Sequence, residues 1–221
     1  TYAVFRDPSA WYHIILSVDT TQATQTERTI LYVNGTRMSF ATGSFPAQNS
    51  NLQVNGTQTH LIGQQASGSY FDGYLADINF IDGQALTPTS FGQFNATTGV
   101  WQPIAYTGTY GTNGFHLNFS NGTSTTTLGY DSSGNSNNWT ANNISLTAGS
   151  TYDSMLDVPT PWVGYSTTTD TSAVTRGNYC VINPIQTSYG VPSITNANLS
   201  YSCAGAGSFG AAGTIAVSSG K

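Results

Sequence analysis

Glu27 is the only glutamate in the chain and Lys221 the only lysine. Long unbranched charged side chains are the usual material of helix surfaces, so these 221 residues hold little from which to build helices. What remains is Thr, aromatic residues and frequent Gly turns, a mixture that favours strands on a half-buried pleated surface. Charged residues make up 7% of the chain, against roughly 25% in soluble domains, so hydroxyls and amides carry the polar surface.

The charge balance narrows the partners. A formal charge of −5 provides no basic stripe for a phosphate backbone, which excludes the main source of nucleic-acid affinity. No apolar run reaches the length of a membrane span, so a membrane partner is not expected either. The chain opens on TYAVFRDPSAWYHIILSVD and stops at GTIAVSSGK, which reads like the start of another strand. A fragment of a longer polypeptide is the expectation.

Strand signals recur along the chain. WYHIILSVDTT is a β-rich run, and TILYVNGTRMSF places Asn34-Gly35 between two apolar stretches, the signal of a type I′ hairpin. A short strand is expected around His60 to Ile62 and a longer one in GYLADINFI. There Leu75, Asp77, Asn79 and Ile81 share one face, and Tyr74, Ala76, Ile78 and Phe80 the other. Asp72 and Asp82 each precede a glycine, which is turn chemistry. Thr87-Pro88 is the one good helix-start signal, and WQPIAY, GFHLNF and LGYDSSGNSNNWT continue the strand pattern.

The segments RDPSAWYHIILSVDTT, LYVNGT and YFDGYLADINFIDGQALTP, in that order, resemble the second half of a laminin-G-like or concanavalin-A-like jelly roll. YGTNGFHLNF, DSSGNSNNWT and DSMLDVPTPW extend the resemblance over nearly the whole chain, to large virion proteins of marine tailed phages. The resemblance implies an all-β fold: an antiparallel β-sandwich over residues 1–156, with its N-terminal strands upstream of Thr1. A linker or long loop over 157–177 and a smaller β-rich Gly/Ala segment over 178–221 would follow. It implies a tail fibre or similar appendage on the virion, whose partners are other virion proteins, copies of itself and host-surface glycans.

Folds of that kind bind sugars or proteins at the rim or concave face, often through Ca²⁺. Here Asp72, Asp77, Asn79 and Asp82 are the candidate calcium ligands, since hard cations take carboxylate and amide oxygens. Asp77 falls at the family's acidic strand position. The alternative to a phage appendage is therefore a Ca²⁺-dependent lectin module of a secreted or cell-surface protein. Trp101, Tyr106, Tyr110 and Trp139 are the candidate sugar-stacking rings.

An enzyme is not expected. Concanavalin-A-like glucanases need paired carboxylates. Glu27 stands alone in TQTERT, and the three aspartates do not reproduce a Glu-x-Asp-x-x-Glu spacing. His13, His60 and His116 have unrelated spacings and read as single strand residues, while Asp131 to Asn138 reads as a plain turn rather than a calcium loop. Cys180 and Cys203 could pair or remain thiols. The eight Asn-x-Ser/Thr sequons read as chance products of a chain rich in Asn, Ser and Thr.

Overall fold

A computed structural model describes residues 5, 10–40, 43–65, 68–147 and 153–154, and the backbone of four further strands between 182 and 213. Cys180, Cys203 and the expected linker over 157–177 lie outside the described residues. The chain forms two compact units. One comprises Thr1–Val4, Tyr12–Asn118 and Tyr130–Trp139, the other Phe5–Trp11, Phe119–Gly129 and Thr140–Lys221.

Every strand pairing among the described residues is antiparallel. In the first unit β1 (Ile14–Val18), β2 (Thr29–Val33) and β3 (Thr36–Arg37) form a three-stranded sheet in that order. Asn34 and Gly35 both adopt positive φ, 47° and 76°, between the paired residues Val33 and Thr36. This is the expected type I′ turn, whose twist matches that of the strands it joins.

Two further ladders complete the unit. β4 (Ile78–Phe80) pairs with β7 (Phe115–Leu117), and β5 (Gly92–Phe94) pairs with β6 (Trp101–Pro103). The β4–β7 register sets Phe80 opposite Phe115 and Ile78 opposite Leu117, and the two phenyl rings stack at 5.4 Å. Leu117 is 2% exposed and marks the core. The alternate pair, Asn79 and His116, shares the other, polar face.

The second unit holds the helix α1 (Thr125–Leu128) and the strands β8 (Ile182–Ser188), β9 (Ser193–Thr195), β10 (Ser200–Ser202) and β11 (Gly210–Gly213). β8 pairs with β11, and β9 with β10. The Ser124 hydroxyl accepts from the Thr127 N–H while Thr127 reaches back to the Ser124 N–H, a capping box built from Thr where Glu or Gln is usual. That substitution hid the helix from a search for helix formers.

Three other expectations change. Residues His60 to Ile62 form no strand and ladder with no strand among the described residues. The strand expected over GYLADINFI contracts to Ile78–Phe80: Asp77 takes a left-handed φ of 52° and breaks the extended run. LGYDSSGNSNNWT contains no strand. Thr87-Pro88 does start a turn, the 3₁₀ segment Pro88–Ser90, with Pro88 buried.

Two glycines separate close approach from backbone freedom. A Cβ at Gly114 would collide with the Tyr110 carbonyl oxygen and approach the Phe80 carbonyl oxygen, whereas Gly83, at φ 78°, faces open space. Gly114→Ala is expected to cost about 3 kcal/mol by overpacking, and Gly83→Ala about 1 kcal/mol from left-handed strain. Urea unfolding of the two variants checks the order, and equal losses would contradict it.

Candidate functional site

Two constructions in the first unit concentrate the side chains that carry chemistry. The first is polar. Asp77 turns left-handed just before β4, and its Oδ1 lies 2.6 Å from Nε2 of His116 on the paired strand β7. Asn79 Oδ1 accepts from the Tyr110 hydroxyl at 2.8 Å, and the Tyr110 ring stacks on His116 with centroids 6.0 Å apart. Burial, reinforced by the negative charge of Asp77, pushes the Tyr110 phenol far above its ordinary range. It therefore stays neutral and donates.

Asp131 closes this network from the loop expected as a turn. Partial burial pushes its carboxyl up, but bonds from the backbone N–H groups of His116, Ser133 and Asn137 and from the Ser133 hydroxyl outweigh that effect. The net result is a carboxyl held below its ordinary value. Asn135 and Asn137 use their amides on the carbonyls of Gly111, Thr112 and Gly114. The loop's amides thus hold the 111–114 turn in place.

The second construction is aromatic. The Trp101 indole N–H donates to His13 Nδ1 at 2.9 Å, the two rings stack at 6.0 Å, and Phe94 meets the indole edge-on at 5.0 Å. Gly35 and Gly92 both lie against the indole so closely that a Cβ at either would collide with it. A concavity of about 420 Å³ opens here, lined by Tyr32, Thr89, Gln93, Phe94 and Trp101 among others, with Phe94 57% exposed. Burial lowers the His13 pKa, partly opposed by Asp77, which keeps the ring neutral with Nδ1 free to accept.

The sequence candidates divide among these places. Trp101 sits in the aromatic cleft. Tyr106 and Tyr110 meet edge-on at 5.1 Å, with Tyr106 also stacked on Phe91 at 5.0 Å. Trp139 tilts against Phe115 at 5.0 Å. The four rings do not form one platform: among the described residues no ring contact joins Trp101 or Trp139 to the tyrosine pair.

The four candidate calcium ligands are likewise distributed. Asp77 meets His116, and Asn79 meets Tyr110 while donating to the Asp77 carbonyl at 3.2 Å. Asp82 accepts from the Asn55 amide and the Asn113 N–H, one on each oxygen. Asp72 is exposed. Among the described residues no three His, Cys, Asp or Glu side chains gather as a group able to hold a metal. Asp77, Asn79 and Asp82 thus each spend a side-chain oxygen on a hydrogen bond within the protein.

Sequence reasoning missed His13 and Phe94 as parts of the cleft. Phe94 had a local signal, since it pairs directly with Trp101 across the β5–β6 hairpin. His13 had none, because 88 residues separate it from the indole it accepts from.

The comparisons with known proteins follow this geometry. Residues 3–91 match the concanavalin A-like lectin/glucanases superfamily. With the antiparallel pairing, that makes the fold class an all-β sandwich. The matched stretch spans β1 to β4 and the 3₁₀ turn and ends before β5, β6 and β7. No curated protein and no solved structure matches the chain.

The pH dependences follow from the two carboxyl and imidazole environments. Asp131 has a lowered folded pKa, so its stabilisation is present above about 3.9, the unfolded value, and is lost as pH falls through the folded pKa. Asp131→Asn should cost about 1–3 kcal/mol at neutral pH and flatten the acid limb of a melting-temperature profile. His13 also has a lowered folded pKa, so stability declines as pH falls below about 6.5, where the unfolded chain takes up the proton first. Trp fluorescence followed through that range should change in the wild type and remain flat in His13→Gln.

Proposed function

We propose that the chain is a non-enzymatic adhesion module that binds glycans through the Trp101 cleft, and that it belongs to a phage virion appendage. The observation that carries the reading is the immobilised indole. Two glycines and the His13 acceptor hold Trp101 in one orientation beside a solvent-facing Phe94, with Gln93 and Thr89 at the margin. A ring already fixed in place loses little freedom when a sugar face stacks on it, and neighbouring amide and hydroxyl groups can meet the sugar hydroxyls.

The superfamily name covers lectins and glucanases alike, so the choice rests on the residues. Glycoside hydrolysis needs two facing carboxyl groups about 5–10 Å apart. Glu27 is ion-paired with the exposed Arg37 at 2.7 Å, Asp77 is engaged by His116, and Asp82 is held by Asn55 and Asn113. None of these is positioned in the cleft. The phage assignment is supported by the sequence resemblance that runs beyond the jelly-roll block, and with it come the partners: other virion proteins, copies of the chain and a host-surface glycan.

Glycan-array binding by the full chain, with and without EDTA, tests the reading. Binding should survive EDTA and fall about tenfold or more in Trp101→Ala and in the solvent-exposed Phe94→Ala, the loss of one good stacking partner. Absence of binding to any glycan would overturn the proposal. Binding lost in EDTA would replace it with the calcium-dependent lectin.

A further inference from the structure

The geometry points to a second saccharide subsite beside the paired segments 63–65 and 69–71, built from residues that do not line the Trp101 cleft. The inference rests on the glycan-binding reading for its ligand class, and on separate observations for its place. These two segments pair: the Phe71 N–H donates to the Gly63 carbonyl and the Gln65 N–H to the Ser69 carbonyl, both at 2.8 Å, with Gln64 and Tyr70 forming an antiparallel bridge. Beside them lies a concavity of about 400 Å³ that also reaches Leu75 and Ile78. That volume is at the small end of ligand pockets and suits roughly one or two pyranose rings.

Two features of its lining matter. Elsewhere several large rings stack on one another, as Phe80 does on Phe115 and Phe91 on Tyr106, but Tyr70 is 73% exposed and Phe71 55% exposed, and neither meets another ring among the described residues. Phe71 nevertheless has a fixed seat, since its ring lies so close over Gly73 that a Cβ there would come within 2.8 Å of Cζ. Elsewhere, too, many Gln and Asn amides bond the protein itself, as Gln48 does to Thr21, Gln84 to Thr109 and Asn135 to Gly111 and Gly114. The side chains of Gln64, Gln65 and Ser69 make no such bond among the described residues, and stand uncommitted around the exposed rings.

No charged side chain lines the concavity. A phosphate or an anionic lipid surface would find no cation, and a peptide of either charge no counter-charge. A neutral sugar complements all three features at once: its C–H face covers a ring, and its hydroxyls meet free amide and hydroxyl groups. The subsite therefore takes a neutral hexopyranose of a glycan chain.

The test is calorimetric titration of the full chain with hexamers of β-1,4-linked glucose, β-1,4-linked N-acetylglucosamine and α-linked mannose. The wild type is compared with Tyr70→Ala, Gln65→Leu and Trp101→Ala. Tyr70 is mostly in solvent and Gln65 makes no side-chain bond among the described residues, so both variants should fold as the wild type does, as circular dichroism would register. Each should lower the affinity for the hexamer that binds, Tyr70→Ala by about tenfold.

Unchanged affinity in both variants overturns the subsite, whatever Trp101→Ala does. Loss in the Tyr70 and Gln65 variants with Trp101→Ala unaffected retains the subsite and overturns the cleft. A wild type that binds none of the hexamers overturns both. Binding of neutral phosphatidylcholine vesicles or self-association that depends on Tyr70 would reassign the groove to a lipid or a second copy of the chain.

Discussion

One hydrogen bond, from the Trp101 indole to His13 Nδ1, connects the start of the β1–β2–β3 sheet to the β5–β6 hairpin. Its geometry depends on the two glycines. Gly35 sits in the type I′ turn and Gly92 at the start of β5, and only residues lacking a Cβ let both backbones close on the indole. The bond requires a neutral imidazole, which burial supplies. The turn, the ladder and the protonation state thus converge on a single side chain, and the aromatic cleft exists because they do.

The polar network around Asp77 has a different logic. A half-buried carboxylate, imidazole, phenol and amide would each cost free energy if left unpaired. Here Asp77 and His116 satisfy one another, as do Asn79 and Tyr110, and Asp131 gathers the N–H groups of the loop that covers them. The network consumes polar groups rather than presenting them to a ligand. The paired segments 63–65 and 69–71 do the reverse: Tyr70 and Phe71 face solvent, and the Gln64 and Gln65 amides bond no partner among the described residues.

Much of the local structure was legible from short spacings. Asn34-Gly35 between apolar runs read as a type I′ turn because few residues other than Asn and Gly tolerate two consecutive positive φ angles. Asp131 to Asn138 read as a turn because its residues bond their own backbone. Asp77 escaped because alternation alone cannot reveal a single left-handed residue inside an otherwise extended run. Helix α1 escaped because its capping box uses Thr, a residue that also reads as strand.

By itself, the sequence determined the strand-rich character of the chain and its turn chemistry, since these depend on local backbone preference. Only the tertiary structure decided which side chains meet. Trp101 and His13, Asp77 and His116, and Asn79 and Tyr110 are brought together by strand register and by close backbone approach at glycine. Such meetings depend on where distant segments come to rest, which no short stretch of chain encodes.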